Sequence, residues 1–140
     1  MLAKLLRRLI FAQIALGLTI GYFVSRALDW PLWSVFCCGA ALPFVTMLAV
    51  DTISALVSRN SDEPAGHWWR SLFGEFGAGI RVFIFRQPWT TQPPTLLAAT
   101  GSSKRVPVVL VHGYLCNHRI WDDMVAVLRA NGHDVFAVNL

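Results

Sequence analysis

The sequence predicts an α/β chain in which an N-terminal transmembrane helical hairpin is followed by an incomplete β-α-β unit. Three observations carry this. Two uncharged apolar runs, residues 9–24 and 30–50, stand near the N-terminus with five residues between them. A short β-branched run, Pro107-Val108-Val109-Leu110-Val111, has the composition of a strand buried on both faces of a parallel sheet. An amphipathic helix and a second apolar strand follow it, in the order of a right-handed crossover.

Composition sets the class. Of 140 residues, 55% are apolar and 14% charged, with a mean hydropathy of +0.51. That is too apolar for an ordinary soluble domain and calls for membrane-embedded segments. The net charge of +4 is modest. The basic residues are scattered, with no Lys/Arg stripe among aromatics, so a nucleic-acid partner is not expected. Lys4, Arg7 and Arg8 sit beside the first apolar run and suit a lipid surface. Cys37, Cys38 and Cys116 form no even, spaced framework, which argues against a disulfide scaffold and agrees with a reducing compartment.

Residues 1–57 read as the hairpin. The 16 residues of the first run rise only ~24 Å, short of a ~30 Å hydrocarbon core. Leu5 and Leu6 extend it if Arg7 and Arg8 snorkel to the interface. The 21 residues of the second run rise ~31 Å, enough to span. Trp30 and Trp33 suit an interface, Pro43 is a place for a kink, and Asp51 marks the membrane boundary. Three basic residues precede the first run, Arg26 lies in the loop, and Arg59 and Arg70 follow the second. The positive-inside bias then places both termini in the cytoplasm, in a multi-pass inner-membrane protein. The alternative is a cleaved signal peptide, with Ser25-Arg26-Ala27 as its small-x-small site, which would invert this topology. An Arg inside that site is poor, and a second apolar run follows at once.

Residues 58–105 read as an amphipathic helix and a connector. Trp69, Leu72, Phe73, Phe76, Ile80, Phe83 and Ile84 follow helical spacing, although Gly74, Gly77 and Gly79 weaken it and 81–85 could be a strand. Such a helix either lies along the membrane surface or covers a soluble core. Gln87-Pro88-Trp89 ends it, and 90–105 is a Pro/Ser/Gly-containing connector.

Residues 106–140 carry the chemistry. His112-Gly113-Tyr114-Leu115 stands at the carboxyl end of the first strand, where ligands bind in open parallel sheets. Gly113 would let the backbone turn sharply, so that the next N–H points into the cleft as an oxyanion donor. Asn117 is an expected N-cap for a helix over 120–130, with Ile120, Trp121, Met124, Val125 and Leu128 on one face. Asn131-Gly132 stops it, and 134–139 is the second strand.

Val108-Val109-Leu110-Val111-His112-Gly113-Tyr114, with Asn117, Trp121 and the strand ending Val138-Asn139-Leu140, resembles the opening of the α/β-hydrolase fold, in particular bacterial lipases and esterases of the triacylglycerol-lipase type. The resemblance implies that the Tyr114 N–H is the first oxyanion-hole donor and that His112 and Gly113 shape the loop, His112 being structural rather than a base. Many relatives have Gly where this chain has Cys116. It further implies a Ser-His-Asp mechanism acting on lipid-like or other acyl esters, with membrane lipid as surroundings and no cofactor. The Gly-x-Ser-x-Gly elbow of that family is not in this sequence. The expectation is therefore a partial chain, inactive by itself.

Other residues have plainer readings. His112, Cys116 and His118 are close in sequence but make an incomplete ligand set, so no metal is expected. Cys116 lacks an evident base. His133 reads as a solvent-facing turn residue, His67 as interfacial, and Asp122 and Asp123 as first-turn residues favoured by the helix dipole. Two other functions stay open: a small two-span membrane protein with a non-catalytic tail, and another activity on the same fold, such as a dehalogenase, epoxide hydrolase or acyltransferase.

Overall fold

A computed structural model of the chain describes residues 2–59, 62, 64–90, 95–100 and 105–138. Cα packing divides it into two units, Arg7–Ile84 and Phe85–Leu140 with Met1–Leu6.

In the first unit, α1 (Leu2–Ala27) and α2 (Trp33–Val57) are both long and apolar enough to cross a membrane. Their large side chains, among them Phe11, Phe23, Phe36 and Ile53, point outward and are exposed. The helices meet where side chains are missing. A Cβ on Gly17 would lie 2.5 Å from the Cys38 carbonyl oxygen, and one on Gly21 would lie 2.9 Å from the Val35 Cα. A Cβ on Gly39 would lie 2.7 Å from Leu18 Cδ2. Gly17 and Gly21 stand four apart, the small-xxx-small spacing that lets membrane helices approach closely. Ser25 closes the turn: its hydroxyl donates to the Trp30 carbonyl at 2.7 Å, and its carbonyl accepts from the Trp30 N–H at 3.0 Å. Asp29 supplies the left-handed residue, with φ 52°. Helix α2 runs seven residues past the uncharged run, so Asp51 lies inside the helix rather than at its end.

Helix α3 (Ala65–Gly79) packs on α2. Trp68 and Leu72 are buried, and the Trp68 indole N–H donates to the Ala55 carbonyl at 3.1 Å. Gly79 comes so close that an added Cβ would meet the Met47 methyl at 3.1 Å. Trp69 and Phe73 remain exposed and stacked. The stretch 81–85 is helical, not a strand, but α3 gives way to π-helical turns over Ile80–Arg86 and a 3-10 turn over Gln87–Trp89. Three glycines in the preceding turns and Pro88 ahead explain why regular winding does not persist.

The second unit is a mixed sheet of order β1-β3-β2, formed by β1 (Leu96–Leu97), β2 (Val108–Val111) and β3 (Val135–Val138). β2 and β3 are parallel, with Val108 opposite Val135 and Val111 opposite Val138. A 3-10 turn (His118–Trp121) and α4 (Asp122–Ala130) make the crossover. Asn117 caps the turn by accepting from the Arg119 N–H at 3.0 Å, and Gly132 leaves α4 with φ 91°.

Two expectations need correction here. The connector over 90–105 contains β1, which pairs antiparallel with β3. The Asp134 carboxylate accepts from the Ala99 N–H at 2.7 Å and ties the segment down. A two-residue strand has no periodicity to read. Second, β2 is not buried on both faces. Val135 and Ala137 are buried on the side where α4 packs, whereas Val109 and Val111 are 62% and 55% exposed. One crossover helix covers one face only.

Candidate active site

β2 delivers His112 to the carboxyl edge of the sheet. Its ring is buried, and Nδ1 lies 2.9 Å from the Gly113 carbonyl oxygen. A carbonyl only accepts, so Nδ1 carries the proton in this contact, and the ring is tied to its own loop.

The turn falls elsewhere than the sequence suggests. Among the described glycines only Gly132 has positive φ, and a Cβ on Gly113 would meet nothing within 4 Å. The left-handed residue is Leu115, with φ 58°. For a branched side chain that conformation costs about 1–3 kcal/mol and must be held by its surroundings. Gly113 therefore keeps space open above the loop, while Leu115 turns it. Tyr114 lies between them. Its side chain is 92% exposed, and among the described residues its N–H donates to no partner.

Gln87 holds the far end of the loop. It is fully buried; its Oε1 accepts from the Asn117 N–H at 2.8 Å, and its carbonyl accepts from Asn117 Nδ2 at 3.1 Å. Gln87 Nε2 is buried with no partner among the described residues. Nothing in the sequence singles out Gln87, because its partner lies 30 residues away. The only local cue is Pro88, which ends the helix there.

Ion pairs fasten α4 beside this clamp. Arg86 donates to Asp123 at 2.7 Å and lies 3.9 Å from Asp122, while Arg119 meets Asp122 at 3.0 Å. The hydrogen bond to Asp123 holds the Arg86 guanidinium above its ordinary range; desolvation opposes this, and the charges of Asp123 and Asp122 assist it. Asp122 and Asp123 are thus ion-pair partners as well as first-turn residues. His133 is not simply a solvent-facing turn residue: it is half-buried, with Nδ1 2.7 Å from the Val106 carbonyl oxygen. His67 is exposed, and Cys116 is a half-buried free thiol.

The described serines, Ser25, Ser34, Ser54, Ser58 and Ser71, all belong to the helical unit. Ser102 and Ser103 lie outside the described residues. Among the described residues no group of three or more His, Cys, Asp or Glu is placed to hold a metal. What the loop offers chemically is a set of backbone donors, the N–H groups of Gly113, Tyr114 and Leu115, with no partner among the described residues, at the carboxyl end of a parallel strand. No family model, curated protein or solved structure matches the chain.

Proposed function

We propose that the chain supplies the membrane anchor and the oxyanion strand of a carboxylic-ester hydrolase of the lipase/esterase type. The observation that carries this reading is the unpartnered Tyr114 N–H. A donor fixed in advance where negative charge develops lowers the barrier to acyl transfer, provided that nothing else occupies it. The crossover from β2 to β3 through α4, and the antiparallel edge strand β1, also agree with a doubly wound sheet. Two helices able to span a bilayer would hold such a site next to lipid-like esters. In this reading Tyr114 donates to the oxyanion, and His112 and Gly113 shape and clear the loop. Dehalogenase, epoxide hydrolase or acyltransferase chemistry would use the same strand.

The second reading is a two-span membrane protein with a non-catalytic tail. It is favoured by the absence of a serine in the described part of the sheet unit.

One assay separates them. The protein isolated from its own membrane is offered a p-nitrophenyl acyl ester. Tyr114→Pro removes the N–H and should lower kcat about 10²–10³-fold. Tyr114→Ala keeps the N–H and should stay within about threefold, well below the loss of a donor. The 140-residue chain alone should show no turnover. A native protein without ester turnover, or equal losses for the two variants, would count against the hydrolase reading.

A further inference from the structure

Helix α3 carries three stripes. Trp68, Leu72 and Gly79 turn toward α2: the first two are buried, and the third packs on Met47. Trp69, Phe73 and Phe76 stand at i, i+4 and i+7, a second stripe beside the first. Trp69 and Phe73 are exposed, and their rings stack. Arg70, Gly74 and Gly77 make the third stripe at the same spacing. An aromatic stripe beside a basic one is the pattern of a helix at a lipid interface. A helix covering a soluble core would bury its aromatic stripe instead.

The line of contact with α2 sets how deep that stripe reaches. The Trp68 indole N–H meets the Ala55 carbonyl, and Gly79 lies against Met47. Helix α3 therefore runs antiparallel to α2, back along residues 47–55. The uncharged run ends at Val50, between these two contacts. Ala55 is five positions beyond that end, about 7.5 Å along the helix, and Met47 is three positions inside it, about 4.5 Å. With the run in hydrocarbon, Trp68 and Trp69 stand at headgroup level, where indoles are favoured. Glu75 lines one groove with Asp51, at the boundary. Gly79 is already below it, and Ile80, Val82, Phe83 and Ile84 follow. Arg81 is the one charge among them, and its long stem can return its head toward the headgroups. The backbone stays helical throughout, as hydrocarbon requires.

We propose that α3 and the π-helical turns after it form a half-inserted membrane helix. It slants from the headgroup layer at Trp69 into the acyl chains at residues 80–84, and lipid covers the stripe of Trp69, Phe73 and Phe76. The inference rests on α1 and α2 being membrane spans and does not depend on the hydrolase reading.

Nitroxide labels test it on the full chain in phosphatidylcholine vesicles, with Cys37→Ala, Cys38→Ala and Cys116→Ala removing the native thiols. Phe36→Cys, Ser58→Cys, Trp69→Cys, Phe73→Cys and Ile80→Cys are labelled one at a time. Access to oxygen, which concentrates in acyl chains, is compared with access to a water-soluble nickel chelate. Phe36→Cys should report hydrocarbon and Ser58→Cys water. Phe73→Cys should favour oxygen, and Ile80→Cys should lie about 10 Å deeper than Trp69→Cys, the span between the two contacts on α2. Nickel access at Phe73→Cys and Ile80→Cys equal to that at Ser58→Cys, with Phe36→Cys immersed, would overturn the insertion. Labels at these two positions screened from both reagents would overturn it as well and assign the stripe to a protein partner. Nickel access at Phe36→Cys would instead overturn the spans on which the inference rests.

Discussion

Both units expose large apolar side chains, but for different physical reasons. In the hairpin, Phe11 and Phe36 project from helices of 26 and 25 residues, long enough for lipid to cover them. In the sheet unit, Leu96, Val109 and Val111 lie on the face away from α4, on strands of two and four residues. An open sheet edge has no place in hydrocarbon, so lipid is not what covers these side chains. Exposure therefore has meaning only together with the length and backbone pairing of the element that carries it. The means of closure differ as well. The hairpin closes where Gly17, Gly21 and Gly39 carry no side chain, whereas the loop after β2 is held by the polar Gln87–Asn117 clamp.

The contrast can be broken at either end. The largest effect is expected from Trp68→Ala, which removes both the buried anchor of α3 and its bond to Ala55; about 3–5 kcal/mol should be lost in unfolding of the detergent-solubilised chain. A loss under about 1 kcal/mol would mean that α3 is held otherwise. Gly17→Val should cost about 1–3 kcal/mol by forcing a side chain against the Cys38 carbonyl. Its effect should be confined to the hairpin, leaving hydrogen exchange of the β3 amides unchanged. Gln87→Leu does the converse: it orphans the buried Asn117 N–H, at about 1–3 kcal/mol, and should speed exchange at Asn117 while the hairpin amides stay protected. Equal acceleration in both units would mean that the clamp acts beyond its own unit. The smallest effect is expected from Asp123→Ala, at or below about 1 kcal/mol, because Asp123 is largely solvent-exposed. Arg86 has a raised pKa, so its contribution is present below the ordinary arginine range and lost only as pH rises beyond it. Stability should therefore not change through this pair between about pH 6 and 9, where both partners stay charged. A titration of unfolding with pH and salt checks this.

Much of the fold was legible locally. The two uncharged runs marked α1 and α2, the 3,4 spacing marked α3, and Asn117 and Asn131-Gly132 bracketed the crossover helix. The β-branched runs marked β2 and β3. Of the candidate site, the placement of His112 and Tyr114 at the end of β2 was legible; the turn at Leu115 was not. Only backbone sterics at that residue reveal it, and no composition rule favours leucine there.

The sequence by itself determined the longer elements, their order and the two segments able to span a membrane. Run length, periodicity and caps are properties of residues close together in the chain, and each acts within a few turns. Only the tertiary structure decided the rest: β1 beside β3, Gln87 under Asn117, Gly17 against Cys38, and Asp51 and Glu75 around one groove. Each of these is a meeting of residues separated by 20 or more positions, chosen by packing and by the need to satisfy buried polar groups, and no local pattern encodes the partner.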